Sequence, residues 1–464
     1  MLDKLRRRAQ ATTTSLPLYR VIPGRATRTY AAVHYHARNA TEEEVGAYLD
    51  EHGDDLPTNR YSAAVLAASA AFTTGRDELA ERLLTELSSR FPDQAEPEVL
   101  WADLQLFRGQ LDRALRHARR AALLDPTSTT AAARLVRLSA DTHQPDAETT
   151  ALAALRRFPT SPGVVWMVCK HCASREQFHR ILEAWTTALP KPTPRKVEPR
   201  LSNLATAAAR AGELSSAVEL LSQGMLLRLE GVNPQREVAE KKLGKDAWAT
   251  IDDVMEVMAG TGIPYFMSNG TALGMVRANG PLSHDNDIDL GIFAEDWDAE
   301  RLVAAFNDHP MFELDGGHPQ YGDPNRTKIF LRHRGGTWVD IWRFYADAGK
   351  VWNEGLLVRW GTTPFGIEHR TIKGREVPLP SDPERYLEEC YGDWRTPNPR
   401  FDAFCDGPNT EVLWPEYQHF HRVRRAHRSL SKGDIPDVLA QLELAAPLVS
   451  ATPSGRLLTE RLAL

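Results

Sequence analysis

The residues best suited to chemistry in this chain are three aspartates spaced two apart, Asp285, Asp287 and Asp289. In a β-strand, side chains two residues apart lie on the same face, so this spacing predicts three carboxylates on one face. Three like charges repel one another unless a cation lies between them. Hard oxygen ligands at this density suit Mg²⁺ or Mn²⁺, and such an ion suits a bound diphosphate. We therefore predict a metal site formed by Asp287 and Asp289, with Asp285 as a secondary ligand.

Two small residues precede these acids in the chain. Gly270 and Thr271 follow an apolar run at 265–267 that reads as a short buried strand. A tight turn into a helix at this step would present backbone N–H groups to a phosphate, so we expect both residues to bind substrate. Arg277 lies two helical turns after Gly270, where it could either reach a phosphate oxygen or form a salt bridge on the helix surface.

A further acid, Asp340, lies in the middle of an apolar and β-prone run at 337–342. A lone carboxylate inside such a strand is costly unless something binds it. We expect Asp340 to reach the metal pair from a neighbouring strand, either as a further ligand or as the base that accepts a proton. Lys328 lies on the preceding predicted strand, which forms a hairpin across 334–336. Its side chain could line an anionic pocket or face solvent.

The order of these elements resembles that of a known family. The run G-T-x-L-G-x-x-R begins at Gly270, D-x-D-x-D begins at Asp285, V-D-I begins at Val339, and a segment at 376–394 closes on Tyr-Gly-Asp-Trp. Together they are similar to the LicD/fukutin family of the nucleotidyltransferase superfamily, over about residues 246–400. The resemblance implies an enzyme that transfers a phospho-alcohol, such as phosphocholine or phosphoribitol, from a CDP-linked donor to a hydroxyl of a glycan or glycolipid, with release of CMP.

An internal repeat precedes this region. Prolines that end successive helical segments lie at Pro92, Pro126, Pro159 and Pro190, at intervals of 34, 33 and 31 residues. Gly75 and Gly109, 34 residues apart, fall at the predicted turns between paired helices. A helix–turn–helix unit of about 34 residues resembles tetratricopeptide repeats, an architecture that commonly binds protein partners. We expect this array to bind a protein partner or to position a long glycan acceptor.

These patterns predict a multidomain chain. An all-α helical repeat precedes an α+β domain with a mixed sheet. The predicted boundaries are a poorly structured segment at 1–40, repeats at 41–232, the catalytic domain at 246–410 and a C-terminal helical tail at 411–464. We expect the proline-rich stretch at 192–200 to interrupt the array. The basic run at 421–428 could contact an anionic glycan or lipid phosphate, although a solvated helix face fits it better.

Composition excludes several classes of protein. The chain has 464 residues, 42% hydrophobic and 25% charged, with a net charge of −6, so no attraction to nucleic acid is expected. Four cysteines in this length are not a disulfide framework. The sequence has no apolar run of about 18 residues, so no transmembrane segment is expected. We expect a cytoplasmic protein, which could lie peripherally at the inner face of the membrane.

Two other functions fit the same residues. The first is a nucleotidyltransferase that moves NMP from an NTP to a small molecule or protein, since the same fold and metal pair would serve. The second is a repeat scaffold with an inactive transferase domain. The intact acids Asp285, Asp287 and Asp289 argue against the scaffold, because an inactive site has no reason to keep three acids on one face.

Overall fold

The structure, a computed structural model, describes a large part of the chain in several segments. These are residues 42–53, 56, 58–189, 194–232, 247–282, 285, 287–315, 328–355 and 358–463. The segment predicted to be poorly structured, 1–40, lies outside the described residues. The chain divides into two compact units, Met1–Trp101 and Ala102–Leu464. The second unit therefore holds both later repeat helices and the predicted catalytic region.

Helices account for the regular structure described before residue 232, as the repeat pattern predicts. The first unit contains α1 Glu42–His52, α2 Tyr61–Thr73, α3 Asp77–Arg90 and the start of α4 Ala95–Phe107. The second unit continues with α5 Leu111–Leu124, α6 Thr129–Asp141, α7 Ala147–Arg157, α8 Pro162–Lys170, α9 Arg175–Ala188, α10 Pro194–Arg210 and α11 Leu214–Leu229. The array is all-helical and tetratricopeptide-like.

The turns between paired helices keep the period of the repeat. Gly75 and Gly109 adopt the left-handed backbone region, with φ of 72° and 67°. At the next repeat the residue 34 positions further on is His143, and it takes the same conformation with φ of 51°. A residue with a side chain is disfavoured there by about 1–2 kcal/mol. The repeat geometry therefore fixes the backbone even where the sequence lacks the expected glycine.

The proline-rich stretch at 192–200 does not interrupt the array in the way the sequence suggested. Helix α10 begins at Pro194 and continues through Pro199 to Arg210. Proline is tolerated in a first helical turn because N–H groups there have no intrahelical partner. Leu201 and Leu204 bury the inner face of this helix, and their packing offsets the hydrogen bond that Pro199 cannot make.

The α+β region is a mixed sheet with helices packed on it. Its elements are α12 Ala247–Thr261, β1 Phe266–Met267, α13 Asn269–Ala278, β2 Asp287–Phe293, α14 Ala299–Asp308, β3 Phe312–Leu314, β4 Lys328–His333, β5 Trp338–Asp347, β6 Lys350–Glu354, β7 Val358–Thr362, β8 Ile367–Ile372, β9 Arg375–Pro380, α15 Pro383–Tyr391, α16 Ala403–Asp406 and β10 Thr410–Val412.

Strand β5 organises the sheet. It pairs in parallel with β2 and antiparallel with β4 and β6, and the main path runs β1-β2-β5-β6-β7-β10. The hairpin predicted across 334–336 is confirmed as β4 and β5. Apolar side chains such as Ile251, Leu290, Ile341 and Leu387 form one core between the sheet and its helices. This core fixes β2 and β5, the two strands that carry the predicted acids.

Two nearly buried ion pairs join the repeat helices to β3 and the residue after it. Arg137 of α6 pairs with Glu313 at 3.1 Å between Nη1 and Oε1. Lys170, the last residue of α8, pairs with Asp315. Because charges buried without a partner are costly, these pairs specify how α6 and α8 lie against the sheet.

Helices fill the predicted C-terminal tail, and they belong to the core of the repeats. They are α17 Pro415–Lys432, α18 Ile435–Leu444, α19 Ala446–Ser450 and α20 Pro453–Leu462. Val423 and Val438 are buried in the same apolar cluster as Val218 and Met225 of α11. The hydroxyl of Tyr417 donates to the Ala209 carbonyl at 2.7 Å. These helices therefore complete the array rather than extend from it.

The expectation of a solvated basic face at 421–428 is only partly right, because Arg424 and Arg428 are exposed whereas Arg425 and His427 are buried. Arg425 is buried, and its guanidinium donates to both carboxylate oxygens of Asp437 at 2.8 and 3.1 Å. His421 stacks on the Phe404 ring with 4.9 Å between ring centroids. The acids that neutralise this run come from other elements, so the run alone could not reveal them. Across the described segments, the structure contains no helix of the length and apolarity needed to cross a membrane.

Candidate active site

Three carboxylates converge at the ends of two adjacent strands. Asp287 and Asp289 lie on β2, and Asp340 lies on β5 with its Cα paired to that of Asp289. Each of the three offers a carboxylate oxygen within 4.8 Å of the other two. Asp289 and Asp340 are 8% and 7% exposed, and Asp287 is half-buried. Asp340 thus approaches Asp287 and Asp289 from the neighbouring strand, and its role as metal ligand or base stays a prediction.

The electrostatics of this acid cluster disfavour full ionisation. Burial raises the pKa of Asp289 well above its usual range, and the neighbouring charge of Asp287 raises it further. Burial likewise raises the pKa of Asp340 to about 6, although the cation of Lys328 works in the opposite direction. A divalent cation would remove this repulsion, and carboxylate oxygens are the ligands that Mg²⁺ and Mn²⁺ prefer. The donor set therefore fits such an ion.

Lys328 supplies a positive charge within the site. Its ammonium group pairs with Asp340 across the antiparallel pairing of β4 and β5. The ammonium lies 3.7 Å from the centroid of the Trp342 ring and 4.2 Å from that of Phe330. These contacts hold a nearly buried cation beside the carboxylates, so the Lys328 side chain does not face solvent. A role for Lys328 in substrate binding stays a prediction.

Two further contacts orient Asp289. The indole N–H of Trp342 donates to Asp289 Oδ1 at 2.8 Å. The backbone N–H of Asp289 donates to the hydroxyl of Thr271, also at 2.8 Å. Thr271 is buried, and its hydroxyl supports strand β2. Phosphate binding by the backbone at Gly270 and Thr271 stays a prediction. Sequence reasoning missed Trp342, although it lies two residues after Asp340 and therefore on the same strand face.

Gly270 lies at the start of α13, opposite Asp285. A Cβ atom on Gly270 would come within 2.7 Å of Asp285 Oδ2, so a larger residue there would force the Asp285 side chain to move. Asp285 itself precedes β2 instead of continuing it, because the strand begins at Asp287. The expectation that all three acids share one strand face is therefore wrong for Asp285. Its role as a secondary metal ligand stays a prediction.

Among the described residues, Arg277 contacts a backbone carbonyl and forms no salt bridge on the helix surface. Its guanidinium donates to the backbone carbonyl of Trp394 at 3.0 Å. This bond ties the end of α13 to the segment that follows α15. The carbonyl could not be anticipated from sequence, because it lies 117 residues away. A contact between Arg277 and a phosphate stays a prediction.

The family comparison matches the part of the chain that carries these groups. The family described as LicD/FKTN/FKRP, nucleotidyltransferase domain, matches residues 262–382. The chain contains a LicD-family domain. Asp287, Asp289, Asp340 and Lys328 all fall within the matched residues. The LicD-family domain thus holds the whole acid cluster and its lysine.

Curated relatives match about a third of the chain. Ribitol-5-phosphate transferase FKTN of Mus musculus is 27% identical over 167 residues, and that of Homo sapiens is 25% identical over the same length. Each match covers 33% of this chain and 34% of the relative, so the chain spans about a third of the length of these relatives. Among solved structures, the type IV pilus biogenesis factor PilW aligns with 46% of this chain and 95% of its own, at 17% identity and a TM-score of 0.32.

Proposed function

We propose that this chain is a LicD-type phosphotransferase. It moves a phospho-alcohol, of the phosphocholine or phosphoribitol type, from a CDP-activated donor to a hydroxyl of a cell-surface glycan or glycolipid. The observation that carries the proposal is the convergence of Asp287, Asp289 and Asp340 within the residues that match the LicD family. The name of the fukutin relatives, ribitol-5-phosphate transferase, favours a phosphoribitol type of cargo.

The acids fit a divalent cation. Asp287 and Asp289 would hold Mg²⁺ or Mn²⁺ through their carboxylate oxygens, and Asp289 is already oriented by the Trp342 indole. When bound, the cation would neutralise charge on the diphosphate and on the departing CMP. Lys328, a fixed cation beside the same carboxylates, adds positive charge for the donor phosphates.

The proposed reaction is an in-line displacement at the donor phosphorus next to the alcohol. The acceptor hydroxyl oxygen forms a new bond to that phosphorus, and the bond to the bridging oxygen of CMP breaks. Asp340 accepts the proton that the hydroxyl loses. The cluster keeps Asp340 within reach of the metal-binding acids while Lys328 stabilises its charged form, which is the form a base needs.

The helical repeats supply recognition in this proposal. They bind a protein partner or position a long glycan acceptor, since arrays of this kind present extended surfaces. The pairs from Arg137 to Glu313 and from Lys170 to Asp315 place α6 and α8 against the strand region next to the acids. We also propose that the protein acts in the cytoplasm, as expected from the sequence.

One assay tests the proposed function. Purified protein is incubated with Mg²⁺, a simple sugar acceptor and a panel of CDP-alcohols, and released CMP is measured. We expect CMP release with one class of CDP-alcohol and loss of that release in Asp287→Asn. Release of pyrophosphate from an NTP, without CMP release from any CDP-alcohol, would instead identify a nucleotidyltransferase. Absence of both activities in well-folded protein would favour an inactive scaffold.

A further inference from the structure

A second group of metal-ligating side chains lies in the α+β region outside the acid cluster. Asp253 and Glu256 are three residues apart on α12 and therefore point from the same helix face. His309 immediately follows the end of α14. One ligand atom from each of these three residues lies within 4.8 Å of the other two. The group shares no residue with the acid cluster, and the proposed phosphotransfer does not use it.

Asp253 is held in place from behind by a buried histidine. His333 is 0% exposed, and its Nε2 lies 2.8 Å from Asp253 Oδ2. The backbone N–H of Gly335 donates to Nδ1 of His333 at 3.1 Å, so the ring proton lies on Nε2 and is donated to Asp253. A carboxylate fixed by a histidine in this way is a preorganised ligand, because it already has a fixed orientation before a metal ion binds.

We propose that Asp253, Glu256 and His309 form a zinc-binding site. One imidazole with two carboxylates suits Zn²⁺, whereas Mg²⁺ and Ca²⁺ favour oxygen ligands alone. Three protein ligands leave a fourth position of the tetrahedron for water. A bound ion would join α12 to the turn between α14 and β3, whose apolar side chains already pack in one core.

The surroundings of the three ligands are compatible with a cation. The guanidinium of Arg334 is close enough to act on His309, but the two carboxylates outnumber this one positive charge. The backbone N–H of Met311 donates to Nδ1 of His309 over a long 3.3 Å. If Nε2 of His309 binds the ion, the ring proton lies on Nδ1. Only the weak hydrogen bond from Met311 is then lost.

The amount of zinc bound per chain tests the proposed site directly. The experiment uses the full chain with Asp287→Asn and Asp289→Asn as its background. These two substitutions remove the acid cluster as a competing metal site. After exposure to Zn²⁺ and gel filtration, we expect this background to retain one zinc per chain by elemental analysis. Adding His309→Gln or Glu256→Gln should remove that zinc, and Co²⁺ should lose its visible absorption spectrum in the same variants. Glu300→Gln, an exposed glutamate of α14, is the matched control and should retain one zinc.

The experiment can overturn the site in two ways. Background protein that retains no zinc would show that the three side chains do not bind it. Zinc that persists in both His309→Gln and Glu256→Gln would show that it binds elsewhere. Glu256 is exposed, so its substitution should not impair folding even if that of half-buried His309 does. Because the assay measures metal content and absorption, its outcome is independent of the phosphotransferase activity.

Discussion

Asp289 and Asp340 lie directly opposite each other on the parallel strands β2 and β5, and both are nearly buried. Parallel pairing in this register directs both side chains to the same face of the sheet. Carboxylate oxygens of the two residues lie within 4.8 Å of each other, so their charges repel. Burial from water strengthens this repulsion. The ammonium group of Lys328 offsets one of the charges. The arrangement is therefore suited to a second positive charge, which a divalent cation would supply.

Metal removal is the first prediction. Exhaustive treatment with EDTA should abolish release of CMP from the donor, and Mg²⁺ or Mn²⁺ added alone should restore it. The reason is that charge on the leaving group would no longer be neutralised. Circular dichroism before and after chelation checks that the fold persists. Full turnover in the chelated protein would refute a metal held by Asp287 and Asp289.

The second prediction concerns the two metal-binding acids. Asp287→Asn and Asp289→Asn should each cost about 2.7–4 kcal/mol of transition-state stabilisation, the scale of one lost electrostatic group. This corresponds to about a 10²–10³-fold loss in kcat. Asp308→Asn, an exposed aspartate at the end of α14, is the matched control and should keep the wild-type rate. A near-normal rate in either cluster variant would contradict the assignment.

The third prediction separates the two roles open to Asp340. If Asp340 is the base, Asp340→Asn should lower kcat by about 10²–10⁴-fold, the usual contribution of general base catalysis. The concentration of Mg²⁺ needed for half-maximal activity should change little, because Asp287 and Asp289 remain. A parallel loss of rate and of Mg²⁺ affinity would make Asp340 a metal ligand instead.

Local patterns were enough to predict much of the site. Alternation along a strand is a property of neighbouring residues, and it correctly placed Asp287 and Asp289 together. The charged residue inside an apolar run pointed to Asp340, which lies beside them in the structure. By contrast, the pairing of Lys328 with Asp340 depends on the register between β4 and β5, which no single segment encodes.

The same distinction explains the errors elsewhere. Helical periodicity predicts helices near the C-terminus, but not the surface on which they pack. Arg425 therefore appeared solvated, although Asp437 neutralises it in the folded chain. The hydroxyl of Thr271 likewise has a partner that the sequence could not reveal, the backbone N–H of Asp289. These contacts join segments that only the tertiary fold brings together.

The fourth prediction addresses the contact between repeats and sheet. Arg137→Met leaves Glu313 and Asp141 without their shared guanidinium. Removing the sole partner of a buried charge costs about 3–5 kcal/mol. Because Arg332 still pairs with Glu313, the free energy of unfolding should fall by less than that but by more than an exposed pair contributes. Arg180→Met breaks an exposed pair with Glu148 and should cost no more than about 1 kcal/mol. Denaturant unfolding compares the two, and equal losses would show that the buried pair does not hold the repeats to β3.

The fifth prediction is a pH dependence of stability that arises at His171, next to Lys170 at the end of α8. Burial lowers the pKa of this imidazole to about 4, and the positive charge of Lys170 lowers it further. The other charged groups around it, some of which favour the protonated ring, are Asp141, Asp315, Arg137 and Arg210. In the unfolded chain the imidazole titrates near its ordinary pKa of about 6.5. Between these two values, protons bind the unfolded state in preference to the native state.

Stability should therefore fall as pH decreases from about 6.5 to about 4, by about 1.4 kcal/mol per pH unit from this group at most. At pH values above that window the contribution of His171 is fully present and constant. His171→Gln removes the titrating ring but leaves every other group that titrates in this range, so the variant should lose less stability on acidification. Thermal unfolding midpoints of both proteins, measured in small steps from pH 7.5 to 4.5, give this comparison. The two curves should converge as the pH falls, because the wild-type protein alone carries the cost of keeping a buried imidazole neutral; parallel curves would show that His171 titrates alike in both states.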